Sequence, residues 1–340
     1  MYAAECGIRE RANFMESIAI TDIKGIRIGN ALQKEAGTGC TVIISPQGAP
    51  CGVDVRGGGP ASRELELLNP AANADRIHAV LLSGGSAYGL DAAAGVMRYL
   101  EEHDIGFDTR ICKVPLVVAS CIYDLGCGKN VRPDAQMGYD ACIASERNAF
   151  AEGCQGAGTG ATVGKLCGPA YMMKSGIGAY AVQVGSLQVG AVVVVNAVGD
   201  VLGENNQIIA GMRAADGGFA DSRRVMLEEY GRTATLFSQR DAVTTNTTIG
   251  AVITNGMFDK AHMKKIAAMA SNGIVRTICP VNTTADGDSM YAMSVGNIHA
   301  EVSLTGTLAA YAVEHAVRRA VRTAHSCYGV PASESWQQMH

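Results

Sequence analysis

HAVLLSGGSAYGLDAAAGVMRYLEEH, residues 78–103, sets an unbroken apolar run directly ahead of a stretch with helical composition. Apolar residues without alternation predict a strand buried on both faces. Gly84-Gly85 breaks the run, Ser86 has the chemistry of a helix N-cap, and the residues up to His103 have the propensity and period of a helix. The same alternation extends outward. TVIIS (41–45) and CGVDVR (51–56) are strand-like before the Gly-Gly-Gly-Pro break at 57–60, and LVVASCIYD (116–124) is a second buried strand ahead of a helix at 134–150. Residues 180–199 read as two β segments around Gly185-Ser186. Helices are expected at 221–230, 258–272 and 304–326, and strands at 248–254 and 289–295, while residues 1–17 read as a leader helix or a loose arm. No Pro/Ser-rich linker and no solenoid repeat divides the chain, so one domain of mixed sheets with helices outside is the simplest expectation.

Composition narrows the function classes. With 48% hydrophobic residues, 340 residues suffice for a substantial core. A net charge of −4 and 5% aromatics give no basic or stacking platform for nucleic acid. No apolar stretch is long enough to span a bilayer, and the N-terminal segment has no signal-peptide core, so a soluble cytoplasmic protein is expected. Eleven scattered cysteines without a CxxC pair read as reduced thiols.

Three clusters carry chemistry. Thr244-Thr245-Asn246-Thr247-Thr248 precedes a buried strand. Taken alone it reads first as a polar turn capping the strand; the other reading is a self-cleaving bond in which Thr247 Oγ attacks the Asn246 carbonyl and is released by water. The freed threonine would carry hydroxyl and α-amine on one residue, and an amine titrating at about 7.7–8.0 can activate its own hydroxyl. Asp286-Gly287-Asp288 precedes the strand SMYAMSV. Carboxylates at i and i+2 of an extended segment share a face and could orient that amine; a solvated turn or a metal site are the other options. The third cluster, GAGTGATVGKLCG (156–168), approximates a phosphate loop but has Thr159 where a Walker loop needs Gly and Leu166 where it needs Ser or Thr. It leaves Lys165 as an interior-leaning lysine. Ser86 is not a nucleophile elbow, because Tyr88 occupies the place of the required glycine. Histidines 78, 262, 299, 315 and 325 lie in strand or helix patterns and read as structural.

Six ordered segments together resemble one family. VDVRGGGPASRELELLNP (53–70), LLSGGSAYGLDAAAGVMRYLE (81–101), GAGTGATVGK (156–165), VVVVNAVGD (192–200), NTTIGAVITN (246–255) and PVNTTADGDSMYAMSVG (280–296) make the chain similar, from about Ile18 to Tyr328, to the aminopeptidase/D-esterase (DmpA-like) family of self-processing peptidases, which includes the nylon-oligomer hydrolases. The resemblance implies a four-layer α/β/β/α sandwich similar to ornithine acetyltransferase and like the N-terminal-nucleophile hydrolases. It implies cleavage into fragments 1–246 and 247–340, with Thr247 as nucleophile and Asp286 and Asp288 as its acid pair. Asn196 then falls on the oxyanion side, Lys165 on the catalytic lysine and Tyr123 on the substrate pocket. The founding members use serine where this chain has Thr247, and Asn282 stands where relatives often carry histidine; Asn282 is assigned no role.

The implied activity is that of an N-terminal-threonine aminopeptidase or amidase acting on short peptides, aminoacyl amides or esters, with no cofactor and no metal. It would work as a homo-oligomer, often of four cleaved protomers, with pockets narrowed at subunit contacts. The helix at 304–326 offers Leu308, Ala309, Tyr311, Ala312, Ala316 and Ala320 for packing in the layers or against a subunit, with Arg318, Arg319 and Arg322 marking a polar side. The competing readings are an acyltransferase of the ornithine acetyltransferase type using the same threonine, and a nucleotide-binding protein using the 156–165 loop.

Overall fold

The computed structural model describes residues 15–233 and 246–339. Eleven strands build its two large sheets: β1 (Met15–Ile18), β2 (Arg27–Gln33), β3 (Thr38–Ala49), β4 (Cys51–Val55), β5 (Ala61–Arg63), β6 (Ile77–Ser83), β7 (Val117–Cys121), β8 (Ile177–Val184), β9 (Leu187–Asn196), β10 (Thr247–Gly256) and β11 (Ser289–Ile298). The helices are α1 (Ala92–Glu102), α2 (Ala135–Ser145), α3 (Ser222–Thr233), α4 (Lys260–Thr277), α5 (Val302–Arg322) and α6 (Ser333–Met339). The six-stranded sheet has the order β1-β8-β9-β10-β11-β4 and the five-stranded sheet the order β2-β3-β6-β7-β5. Each contains a single parallel pair, β10 with β11 and β6 with β7; the other neighbours run antiparallel. A parallel pair needs a crossover, and α4 and α1 lie in the two connections.

The sheets stack face to face between two helical layers. In β9, Val189, Ala191, Val193 and Val195 pack with α4 and α5, while Val192 and Val194 point to the second sheet. That period of two explains why the strand is apolar throughout. The middle layer joins Ile28, Ile43, Val80, Leu82 and Val118 of one sheet to Ile249, Ala251, Ile253, Tyr291 and Met293 of the other. The buried Tyr291 hydroxyl meets Ser120 Oγ at 2.7 Å, so the phenol's polar end is satisfied across the two sheets. The outer face of the second sheet is closed by Ala92, Val96, Tyr99, Leu100, Ala141 and Cys142 of α1 and α2. The result is an α/β/β/α sandwich.

Several local expectations are corrected. Ser86 is not an N-cap: Gly85 (φ 80°) and Ser86 (φ 54°) are both left-handed, a 3-10 turn follows over Ser86–Asp91, and α1 begins only at Ala92. A cap needs extended backbone, whereas Ser86 N–H is committed to Ile122 O at 2.9 Å. Residues 1–14 lie outside the described part, but Met15–Ile18 is an edge strand on β8 rather than a helix or a loose arm. The helix expected over 134–150 stops at Ser145. On α5, Leu308, Ala309, Ala312, Ala316 and Ala320 are buried within the layers. Arg318 does not belong to a polar side; it is buried and donates to Leu202 O at 3.2 Å.

The α1–α2 contact depends on glycine. A Cβ at Gly138 would stand 1.9 Å from Ala92 O, which neither backbone can yield. Gly138→Ala is expected to cost about 1–3 kcal/mol by overpacking. Gly126→Ala, with nothing within 4 Å of its Cβ, should stay within about 0.5 kcal/mol of the parent. Denaturant titration of both variants checks the contrast.

Candidate active site

Strand direction gathers the site. Because β10 and β11 are parallel, their N-terminal ends lie at the same edge of the sheet. Asn246 and Asp286, each just upstream of its strand, form an isolated parallel bridge there. The antiparallel β9 ends at this edge, with Asn196 in register with Thr247. Lys165 joins them because Gly164 and Lys165 N–H donate to Gly199 O and Val198 O, both at 3.0 Å, just past the end of β9. Lys165, Asn196 and Asp286, spread over more than a hundred positions of sequence, thus gather around one peptide bond.

That bond is Asn246–Thr247. Thr247 is 5% exposed, and its hydroxyl donates to Asn246 O. The same carbonyl accepts from Gly287 N–H at 2.9 Å, so a backbone donor already polarises it. A Cβ at Gly287 would lie 2.9 Å from Thr247 Oγ1 and 2.8 Å from Gly59 O, so only glycine brings this amide close enough. Asn246 Oδ1 and Thr248 Oγ1 are buried and make no hydrogen bond among the described residues.

The acid pair is not a solvated turn. Asp286 and Asp288 are 1% and 2% exposed. Asp288 accepts from Thr248 N–H at 2.5 Å and Asn282 N–H at 3.1 Å; Asp286 accepts from Thr283 N–H at 2.9 Å and Thr283 Oγ1–H at 2.6 Å. Burial, ahead of every hydrogen bond, raises both carboxyls above the ordinary range, and the charge of Asp286 helps carry Asp288 to about 7. Lys165 is partly covered as a whole residue, yet its ammonium, donating to Asn196 Oδ1 at 2.8 Å and Asn196 O at 2.9 Å, loses enough water to fall to about 7. Asp286 opposes that fall more than any other charge.

Beside Lys165 opens a cavity of about 240 Å³ lined by Tyr123, Asp124, Cys127, Thr162, Pro169 and Met172, among others. Tyr123 lines the cavity, and its carbonyl accepts from Asn196 Nδ2–H at 3.0 Å. Asp124 accepts from Thr38 Oγ1–H at 2.7 Å and Gly85 N–H at 2.6 Å, and burial raises it to about 6.

Comparison with known proteins fits this geometry. The model of peptidase family S58 matches residues 18–334. An uncharacterized aminopeptidase of Mycobacterium leprae is 37% identical over 92% of both chains. The chain belongs to peptidase family S58. A 6-aminohexanoate-oligomer endohydrolase of Kocuria is 32% identical over 82% of this chain and 75% of its own. The L-aminopeptidase D-Ala-esterase/amidase of Ochrobactrum anthropi superposes with a TM-score of 0.66 over 92% of this chain and 88% of its own, at 19% identity, and its structure is a variant of the Ntn-hydrolase fold.

Within this S58 chain the sandwich architecture expected from sequence is present, and the protein is a hydrolase of the peptidase class. The acyltransferase reading is not favoured by these relatives. The 156–165 segment does not form a phosphate loop: Gly156–Gly158 is a buried 3-10 turn that leads to a two-residue strand, Thr162–Val163, and not to a helix. Asn196, Asn246, Thr247, Asp286 and Asp288 surround one bond, Lys165 stands over Asn196, and Tyr123 lies on the cavity side. Sequence reasoning did not single out three of the donors here: Gly287 N–H to Asn246 O, Asn282 N–H to Asp288, and Thr283 to Asp286. The ADGD turn was the available signal, since its carboxylates must end hydrogen bonds somewhere.

The electrostatics make a testable contrast. Lys165 should react with an amine-selective acylating reagent with a midpoint near pH 7, against about 10.4 for exposed lysines. Removing the Asp286 charge removes a stabilisation of the ammonium, so Asp286→Asn should move the midpoint lower. Peptide-level mass spectrometry across pH reads both.

Proposed function

We propose that this chain cleaves itself between Asn246 and Thr247, and that the freed Thr247 hydrolyses short peptides, aminoacyl amides or esters. The observation that carries the reading is the Asn246 carbonyl, which accepts from the Thr247 hydroxyl and from Gly287 N–H at 2.9 Å. Nucleophile and oxyanion donor are therefore aimed at one carbonyl before any chemistry occurs. Thr247 Oγ adds to that carbon, Lys165 in its neutral form receives the hydroxyl proton, and the C–N bond breaks as nitrogen gains a proton. Water then splits the resulting ester. Asn246 Oδ1 and Thr248 Oγ1, buried and without a hydrogen bond among the described residues, supply polar atoms to hold that water.

After cleavage the Thr247 amine faces the Asp286–Asp288 pair, which stabilises its ammonium form and orients it. The amine, once neutral, serves as base for its own hydroxyl. Asn196 and Gly287 provide donors for the substrate oxyanion. A cavity of about 240 Å³ fits one small residue or a short aliphatic chain rather than a folded protein. The activities of two similar proteins, an oligomer endohydrolase and an aminopeptidase with esterase and amidase action, support amide and ester substrates. The reading extends to a cytoplasmic homo-oligomer of cleaved protomers, with four as the expected number. No described helix is long and apolar enough to cross a membrane.

Ageing the purified protein should yield fragments of roughly 25 and 10 kDa, in proportion to a 35.4 kDa chain, the smaller beginning at Thr247. Thr247→Ala should remain intact, Thr247→Ser should cleave, and Gly287→Ala should cleave at least about tenfold more slowly. Intact chains alone in the wild type would remove the mechanism.

In cleaved protein, Asp286→Ala and Asp288→Ala should each lower turnover of an aminoacyl amide by at least about tenfold, or ~1.4 kcal/mol. Casein should resist digestion. Wild-type kinetics in a correctly cleaved double variant would reduce the pair to a structural turn.

A further inference from the structure

Away from Thr247, three potential ligands meet where sequence gave no hint of a cluster. The Sγ atoms of Cys154 and Cys327 and a ring nitrogen of His325 lie within 4.8 Å of one another. Among the described residues this is the one group of three or more such side chains close enough to share an ion. His325 was expected inside a helix, but α5 ends at Arg322 and leaves it in the following loop.

We infer that Cys154, His325 and Cys327 form a binding site for a borderline-soft transition-metal cation, zinc above all. The two sulfurs are 3.8 Å apart. Two thiolates at about 2.3 Å from a tetrahedral zinc stand about 3.8 Å from each other, so the pair already spans one edge of that polyhedron. Two sulfurs and one imidazole are the donor set that favours zinc over magnesium or calcium. The backbone holds them in place. Gly153 exchanges hydrogen bonds with Ile177 at 2.7 and 2.9 Å, and Cys327 with Val330 at 3.2 and 2.9 Å. His325 is exposed, which gives an ion a route from solvent and leaves a fourth position for water.

The Cys327 thiol donates to Cys154 Sγ, so the sulfurs already face one another, and zinc binding displaces the thiol protons. The ion would fasten the loop that leads through Gly156–Gly158 toward Lys165 onto the segment after α5. Its role is structural, separate from the threonine chemistry.

The test uses full-length protein, reduced, stripped with a chelator and titrated with zinc against a chromophoric competitor. One equivalent per chain should bind with a Kd below micromolar, and cobalt should give tetrahedral ligand-field bands with thiolate charge transfer. Zinc should also raise the melting temperature. Cys154→Ser and Cys327→Ser should each weaken binding by about a hundredfold, and His325→Ala, at an exposed position that does not threaten folding, by about tenfold. Absence of the equivalent, or its survival in both Cys154→Ser and His325→Ala, overturns the site. A Cys154–Cys327 disulfide that persists under the reducing conditions and excludes zinc overturns it equally.

Discussion

The parallel pairing of β10 with β11 is the constraint on which the site depends. Sheets of this kind are mostly antiparallel, and an antiparallel β11 would carry Asp286 and Asp288 to the far edge. With the strands parallel, the residues entering both strands meet, and α4 supplies the crossover. The antiparallel β9 then delivers Asn196 to the same edge, in register with Thr247. None of the residues named at this edge lies in a described helix. The helices close the outer faces so that the edge, and not the sheet surface, is where polar groups collect.

Gathering those groups is expensive in free energy, and the hydrogen bonds show how it is offset. Two carboxylates almost devoid of solvent would be untenable without donors, and each accepts at least two among the described residues, from the turn at 282–288 and from Thr248 N–H of β10. The residual penalty appears as displaced protonation. Burial and the Asp286 charge push Asp288 up, and burial pulls Lys165 down. Asp124, on the cavity wall, is likewise raised by burial to about 6.

How much of this was legible in the sequence follows from what each feature needs. Continuous apolar runs such as 78–83 and 116–124 announce doubly covered strands, because alternation disappears only when both faces are buried. The start of α1 was misread because serine after two glycines suggests a cap, while the left-handed backbone at Gly85 and Ser86 was set by a long-range bond to Ile122. Arg318 was misassigned to solvent because a single helix period cannot reveal that backbone carbonyls of Leu202 and Gly203 wait opposite it. In the site, side chains with distinctive chemistry were found and backbone donors were not. Gly287 N–H carries no signature beyond the absence of a side chain, and its meaning emerges only from the 2.9 Å contact with the Asn246 carbonyl. The Cys154–His325–Cys327 group escaped for a related reason, since 171 positions separate Cys154 from His325.

Trapping the acyl-enzyme tests the central claim most directly. Cleaved protein turning over a slow aminoacyl ester can be quenched in acid and mapped by peptide mass spectrometry. A nucleophilic Thr247 predicts one acyl group per chain, on the side-chain oxygen of the peptide that begins at Thr247. An acyl group on any other residue, or an unmodified Thr247 peptide while ester is consumed in a burst, would contradict it.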